Sequence, residues 1–184
     1  MQHDDRLIVA LDFPTLEQAK ACVVELGDAV SYYKVGMELY YAVGSEIIRF
    51  LKEQGKHVFL DLKLQDIPNT VAHALTVLSD LGADMMNVHA VGGKKMMAEA
   101  VKAVHEAAEA AGRPAPKLIA VTILTSMDDE QFADLNYNNT TCRQFSASRY
   151  IQYNPYHILH NFHSDKLPYI HPLYHLLSAH KLLL

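Results

Sequence analysis

Val58-Phe59-Leu60-Asp61-Leu62-Lys63-Leu64-Gln65-Asp66-Ile67-Pro68-Asn69-Thr70 joins a buried strand to the start of a helix, and it sets two charges in a very apolar run. Side chains alternate along a strand, so Asp61 and Lys63 are expected on one face and Val58, Leu60, Leu62 and Leu64 on the other. Charges among so many apolar neighbours are costly to bury unless they are paired or put to use. Pro68 suits the first turn of a helix, where a missing N–H costs no hydrogen bond. Two readings of Asp-x-Lys stand at this point. One is an ion pair at a strand end, with Asp66 capping the next helix. The other is a chemical site that needs an ammonium group held among carboxylates.

The flanking sequence alternates strands with helices. Leu7-Ile8-Val9-Ala10-Leu11-Asp12 is a short apolar run ending in a carboxylate, and it reads as a buried parallel strand. Pro14-Thr15 opens a helix through about Leu26, stopped by Gly27. Tyr32-Tyr33-Lys34-Val35-Gly36 reads as the second strand, and Met37 to about Gln54 as one helix stopped by Gly55. After the third strand, a helix is expected over about Asn69 to Leu81. Asp84 to Ala90 is strand four, containing Asn87-Val88-His89. A long Ala- and Lys-rich helix follows to about Ala111, and Leu118 to Leu124 is strand five, followed by Thr125-Ser126.

This alternation predicts a parallel α/β fold. Polar residues recur at or near the C-terminal ends of the strands: Asp12, Lys34, Asp61 with Lys63, His89, and Thr125 just beyond strand five. A (βα) barrel of the TIM type builds its site from the ends of many strands, whereas an open doubly wound sheet concentrates it at one switch point. No Gly-x-Gly-x-x-Gly follows strand one, so a dinucleotide site is not expected. Each polar residue has a plainer role open to it. Asp12 or Thr125 and Ser126 could cap helices, Lys34 could be a surface charge, and His89 a hydrogen-bonded core side chain. Five such positions on one rim favour the barrel.

Asp61-Leu62-Lys63-Leu64-Gln65-Asp66-Ile67-Pro68-Asn69-Thr70 closely resembles the active-site signature of bacterial orotidine 5'-phosphate decarboxylases. The shorter Asp-x-Lys-x-x-Asp is shared with related sugar-phosphate enzymes, and Ile67-Pro68-Asn69-Thr70 favours the decarboxylases. Val9-Ala10-Leu11-Asp12, Tyr33-Lys34-Val35-Gly36, Asn87-Val88-His89-Ala90 and Val121-Thr122-Ile123-Leu124-Thr125-Ser126 are similar to the family's other strand motifs, so the resemblance covers about residues 5–135. It implies a (βα) barrel that converts orotidine 5'-monophosphate to uridine 5'-monophosphate, in pyrimidine nucleotide synthesis, with no metal or organic cofactor. In that pattern Lys63 is the proton donor and Asp61 lies beside it and the substrate carboxylate. Lys34 completes the alternation of charge. Asp66 reaches into the site of a partner subunit with Thr70 beside it, which implies a homodimer. Asp12 is expected on the ribose hydroxyls, Thr125 near the pyrimidine, and His89 among the substrate-binding residues. A fixed array of alternating charges in a water-poor site is preorganised for a carbanion-like transition state.

Half of the residues are hydrophobic, a fifth are charged and the net charge is −5, an ordinary soluble composition that points to no nucleic-acid surface. Two cysteines do not make a disulfide framework, and Cys22 reads as core. No stretch approaches the roughly 18 apolar residues of a membrane helix, so no membrane partner and a cytoplasmic location are expected.

From about Asn136 the composition changes. All eight glycines and every glutamate precede it, and residues 136–184 hold six of the eleven histidines but a single acidic residue, Asp165. The expected division is therefore a barrel portion over 1–135 and an atypical His-, Tyr- and Leu-rich tail over 136–184. The family also grips phosphate with a Gly-rich loop and an Arg, and with no glycine after Gly112 such a loop has no obvious candidate here. Three readings of the tail are open. It is a shifted reading frame or wrong gene end, a divergent segment, or a metal site from His157, His160, His163, His171 and His175. The first implies an incomplete barrel with an exposed apolar edge and a tendency to aggregate. Two functional alternatives to the decarboxylase follow. One is a related magnesium-dependent sugar-phosphate decarboxylase or aldolase, and the other is a catalytically inactive barrel fragment.

Overall fold

A computed structural model describes residues 7–124 and 126–135, with the backbone of Leu182 and Leu183. Five parallel strands form the sheet: β1 (Ile8–Ala10), β2 (Tyr32–Gly36), β3 (His57–Leu64), β4 (Met85–His89) and β5 (Lys117–Val121). Their order across the sheet is their order in the chain, and a two-residue strand β6 (Leu182–Leu183) pairs antiparallel with β1. The monotonic order of β1 to β5 contains no reversal, so the sheet has no switch point of the doubly wound kind. Crossovers of one hand then put the helices that connect these strands on the same face, as in a barrel wall.

Burial separates the two faces. On the helix-covered face Val9, Tyr33, Val35, Val58, Leu60, Met86, Val88 and Leu118 form one core with residues from the helices. The opposite face carries a separate cluster made of strand residues alone: Tyr32, Phe59, Met85 and Ile119, with Ile8 packed against it. These are alternate residues of neighbouring strands, as period-two patterning requires. Two residues further along β2, β3 and β4 the same face presents Lys34, Asp61 and Asn87. The inner face is therefore apolar towards the strand N-termini and charged towards their C-termini.

The helices follow local signals. Thr15 caps α1 (Leu16–Leu26) by accepting from the Gln18 N–H, and Gly27 ends it at φ 47. Lys56 locks this turn from beneath, donating to the Gly27 and Val30 carbonyls at 2.6 and 2.9 Å. The single helix expected over Met37 to Gln54 is instead two, α2 (Met37–Val43) and α3 (Glu46–Glu53). Gly44 takes φ 62 and ends the first, a conformation that a side chain would strain. The break lets α3 bury Ile47, Ile48 and Leu51 completely, each contributing roughly 1.5–3 kcal/mol. Pro68 opens α4 (Pro68–Asp80) as expected, and α5 (Gly93–Ala110) packs beside α4. Strand five is shorter than expected, with Thr122 to Leu124 outside it. The last described helix, α6 (Asp129–Asp134), is capped by Asp128. Cys22 is buried core. Among the described residues no helix is long and apolar enough to cross a membrane.

Candidate active site

Four charged side chains form an unbroken chain of alternating sign across the C-terminal ends of the first three strands. Lys34 Nζ lies 3.0 Å from Asp12 Oδ1 and 3.4 Å from Asp61 Oδ2. Lys63 Nζ donates to Asp61 Oδ1 at 2.6 Å. Lys34 and Asp61 are 7 % and 9 % exposed, so the centre of the chain is withdrawn from water. Its two ends, Asp12 and Lys63, remain accessible, with side chains 37 % and 23 % exposed. Burial alone would push the Asp61 carboxyl up. Hydrogen bonds from Lys63 and Asn87, with the charges of Lys63 and Lys34, outweigh it and hold the group below the usual aspartate range.

The backbone at Lys63 is not ordinary strand. Its φ is 52°, the one positive value at a non-glycine among the described residues. Pairing between β3 and β4 shifts register between Leu60 and Leu64. Strict alternation, from which Asp61 and Lys63 were expected on one face, therefore fails at Lys63 itself, although the two side chains do meet. A left-handed lysine costs roughly 1–2 kcal/mol, and strain of this kind gathers at functional sites.

Asn87 holds the irregularity in place. From the neighbouring strand β4 its Oδ1 accepts from the Lys63 N–H at 2.7 Å, and its Nδ2 donates to Asp61 Oδ1 at 2.6 Å. The sequence reading passed over this residue in favour of His89, although a buried Asn two residues before it on the same face is itself a signal. Gly36 was also missed. It pairs with Asp61 in the β2–β3 register, and a Cβ there would stand 3.1 Å from Lys34 Nζ and 3.5 Å from Asp12 Oδ1.

His89 is half-buried at the end of β4, within electrostatic reach of the chain. Burial lowers its affinity for a proton, the Lys63 charge adds to this, and Asp61 opposes it. Asp66 and Thr70 stand apart from the charged chain, both exposed, on the turn into α4 and in its first turn. Asp66 does not cap the helix through its second or third N–H. Its Oδ1 accepts from the adjacent Ile67 N–H at 2.6 Å. Thr125 and the five tail histidines considered as metal ligands lie outside the described residues. Among the described residues no group of three or more His, Cys, Asp or Glu side chains is placed to hold a metal ion.

A model of the orotidine 5'-phosphate decarboxylase / HUMPS family matches residues 5–152. The chain belongs to this family. The match runs past residue 135, where the composition begins to change, so the family likeness extends into the segment that was expected to lie outside it. Orotidine 5'-phosphate decarboxylase of Streptococcus thermophilus is 51% identical over 150 residues, covering 81% of this chain and 61% of that protein. A crystal structure of an uncharacterized conserved protein from Geobacillus kaustophilus superposes with a TM-score of 0.74 at 43% identity, over 78% of this chain and 67% of the other. That of orotidine 5'-phosphate decarboxylase from Lactobacillus acidophilus gives 0.71 at 42%, over 77% and 63%. The chain thus spans about three fifths of the length of the Streptococcus decarboxylase. The family's structures are TIM barrels, and the five parallel strands here form part of that wall.

Proposed function

We propose that this chain carries the proton-transfer machinery of an orotidine 5'-monophosphate decarboxylase and acts in pyrimidine nucleotide synthesis. The observation that carries the reading is the alternation Asp12–Lys34–Asp61–Lys63, ending in an accessible ammonium. In this reading the C6 carboxylate of the pyrimidine lies against Asp61, where like charge disfavours it. The C6–carboxylate bond breaks, CO2 leaves, and the electron pair stays on C6. Lys63 delivers its proton to C6 to give uridine 5'-monophosphate, and takes another from solvent. As CO2 leaves, negative charge passes to C6, and the ammonium groups of Lys34 and Lys63 are already fixed to receive it. No metal or organic cofactor enters the step.

Asp12 takes the ribose hydroxyls, Thr125 the pyrimidine, and His89 the side of the substrate nearest β4. Asp66 and Thr70, both exposed at the start of α4, are assigned to the site of a second copy, which makes the working unit a homodimer. Residues 1–135 supply this machinery, and 136–184 are the tail of atypical composition, into which the family match runs as far as residue 152. The location is cytoplasmic, with no nucleic-acid or membrane partner.

A second reading is a barrel portion without turnover. It is favoured by a described sheet of five parallel strands, where closure of this barrel takes eight. The test is decarboxylation of orotidine 5'-monophosphate by the purified 184-residue chain beside Lys63→Ala. Turnover abolished by the substitution supports the decarboxylase. Absence of turnover in both proteins leaves the family membership and sinks the activity. A rate that collapses in EDTA and returns with magnesium would favour a related sugar-phosphate enzyme.

A further inference from the structure

We propose that Asn87 is a positioning residue of this site, setting both the direction of the Asp61 carboxylate and the backbone turn that presents Lys63. The inference deepens the decarboxylase reading and rests on it only for its kinetic part.

Asn87 is 2 % exposed, in the middle of β4, and both ends of its amide are engaged by β3. The two contacts fix its orientation, because a backbone N–H needs the oxygen and a carboxylate needs the NH2. The register shift between Leu60 and Leu64 takes the Lys63 N–H out of the regular ladder, and the Asn87 oxygen replaces the missing acceptor. A buried N–H without a partner would be costly, so this bond stabilises the left-handed conformation at Lys63 against a return to regular strand. The same amide reaches Asp61 Oδ1, the oxygen that also takes the Lys63 ammonium. Oδ2 is left towards Lys34. One neutral side chain thus couples a backbone distortion to a carboxylate orientation without adding charge. A space-filling role would need neither hydrogen bond.

The test uses the full chain and two substitutions. In Asn87→Ala both contacts go. In Asn87→Asp the oxygen for the Lys63 N–H is kept, but a second carboxylate faces Asp61 until one of the pair takes up a proton. The first readout is the carboxyl titration of Asp61 followed by 13C NMR, which needs no substrate. Asn87→Ala should move it up towards the ordinary aspartate range, and Asn87→Asp should give a coupled pair with one proton held above that range. The second readout is kinetic. Turnover in Asn87→Asp should fall about 100-fold at pH 8 with little change in KM, and recover as the pH is lowered, because the protonated carboxyl can again donate to Asp61. A titration of Asp61 unchanged in both variants overturns the proposal, whatever happens to thermal stability. So does a pH–rate profile of Asn87→Asp parallel to that of the parent. If the parent shows no turnover, the decarboxylase reading fails and the NMR titration alone decides. If Asn87→Ala does not fold, the closer isostere Asn87→Asp carries both readouts.

Discussion

The Nζ of Lys34 lies 3.1 Å from the point where a Cβ on Gly36 would stand. The residue opposite Asp61 in the sheet therefore has no side chain because the ion pair fills its space. Gly36 itself has φ −86, an ordinary extended value, so alanine would not strain the backbone. Gly36→Ala is expected to leave stability within about 1 kcal/mol, since the gain in unfolded-chain entropy offsets slight crowding. Turnover should fall by about 10-fold or more, because the Lys34 ammonium is shifted slightly from its place between the two carboxylates while staying paired. Urea unfolding and steady-state kinetics on the same preparations check both halves.

Lys63 joins a left-handed backbone to the ammonium proposed as the proton donor, and two substitutions separate them. Lys63→Ala and Lys63→Gly both remove the charge, but only glycine is at ease at φ 52. Both should be inactive, with Lys63→Gly the more stable by about 1 kcal/mol. Equal urea midpoints would show that the turn carries no strain.

His89 should make stability depend on pH in a definite direction. Burial, then the Lys63 charge, place its folded value below the ordinary one of 6.5. Between the folded and unfolded values the unfolded chain binds more protons, so stability falls as pH is lowered through that window. The contribution is fully present above about pH 6.5 and is gone below the folded value. In His89→Gln this increment disappears. From pH 8 to pH 5 the urea midpoint of the parent should fall relative to that of His89→Gln, and a constant difference would sink the assignment.

Tyr33 is fully buried on the helix-covered face, and its hydroxyl has no hydrogen-bond partner among the described residues. Burial, with a smaller push from Cys22, raises the phenol to about 12, so it stays neutral throughout the working range. Removing an unsatisfied buried hydroxyl is neutral or favourable. Tyr33→Phe is expected to raise stability by up to about 1 kcal/mol and leave any turnover unchanged, which thermal unfolding and kinetics would show.

Much of this arrangement was legible because period-two patterning speaks directly about faces. Tyr32 and Lys34, Phe59 and Asp61, and Met85 and Asn87 follow from alternation once the strands are placed. The strand-end charges then indicate a barrel. What alternation could not show was the departure from it at Lys63, because a left-handed turn at a lysine has no composition of its own. It depends on an amide from the next strand, Asn87. Gly36 was hidden for a related reason: a glycine at a strand end reads as punctuation, and only the register reveals it opposite Asp61. Gly44 was visible in the sequence, but the apolar pattern on both sides of it hid the helix break.

The sheet order has a consequence for how the protein comes into being. From β1 to β5 every neighbour in space is also the next strand in the chain. Lys34 meets Asp12 across 22 residues, Lys63 meets Asn87 across 24, and Asn87 meets Asp61 across 26. Loops of that size close at modest entropic cost, and short sequence separations favour fast folding. The whole charged chain lies N-terminal to α5, so a ribosome has delivered all of its parts while the rest of the polypeptide is still being made. The charged chain can thus take shape during synthesis, before the segment that follows it has been made.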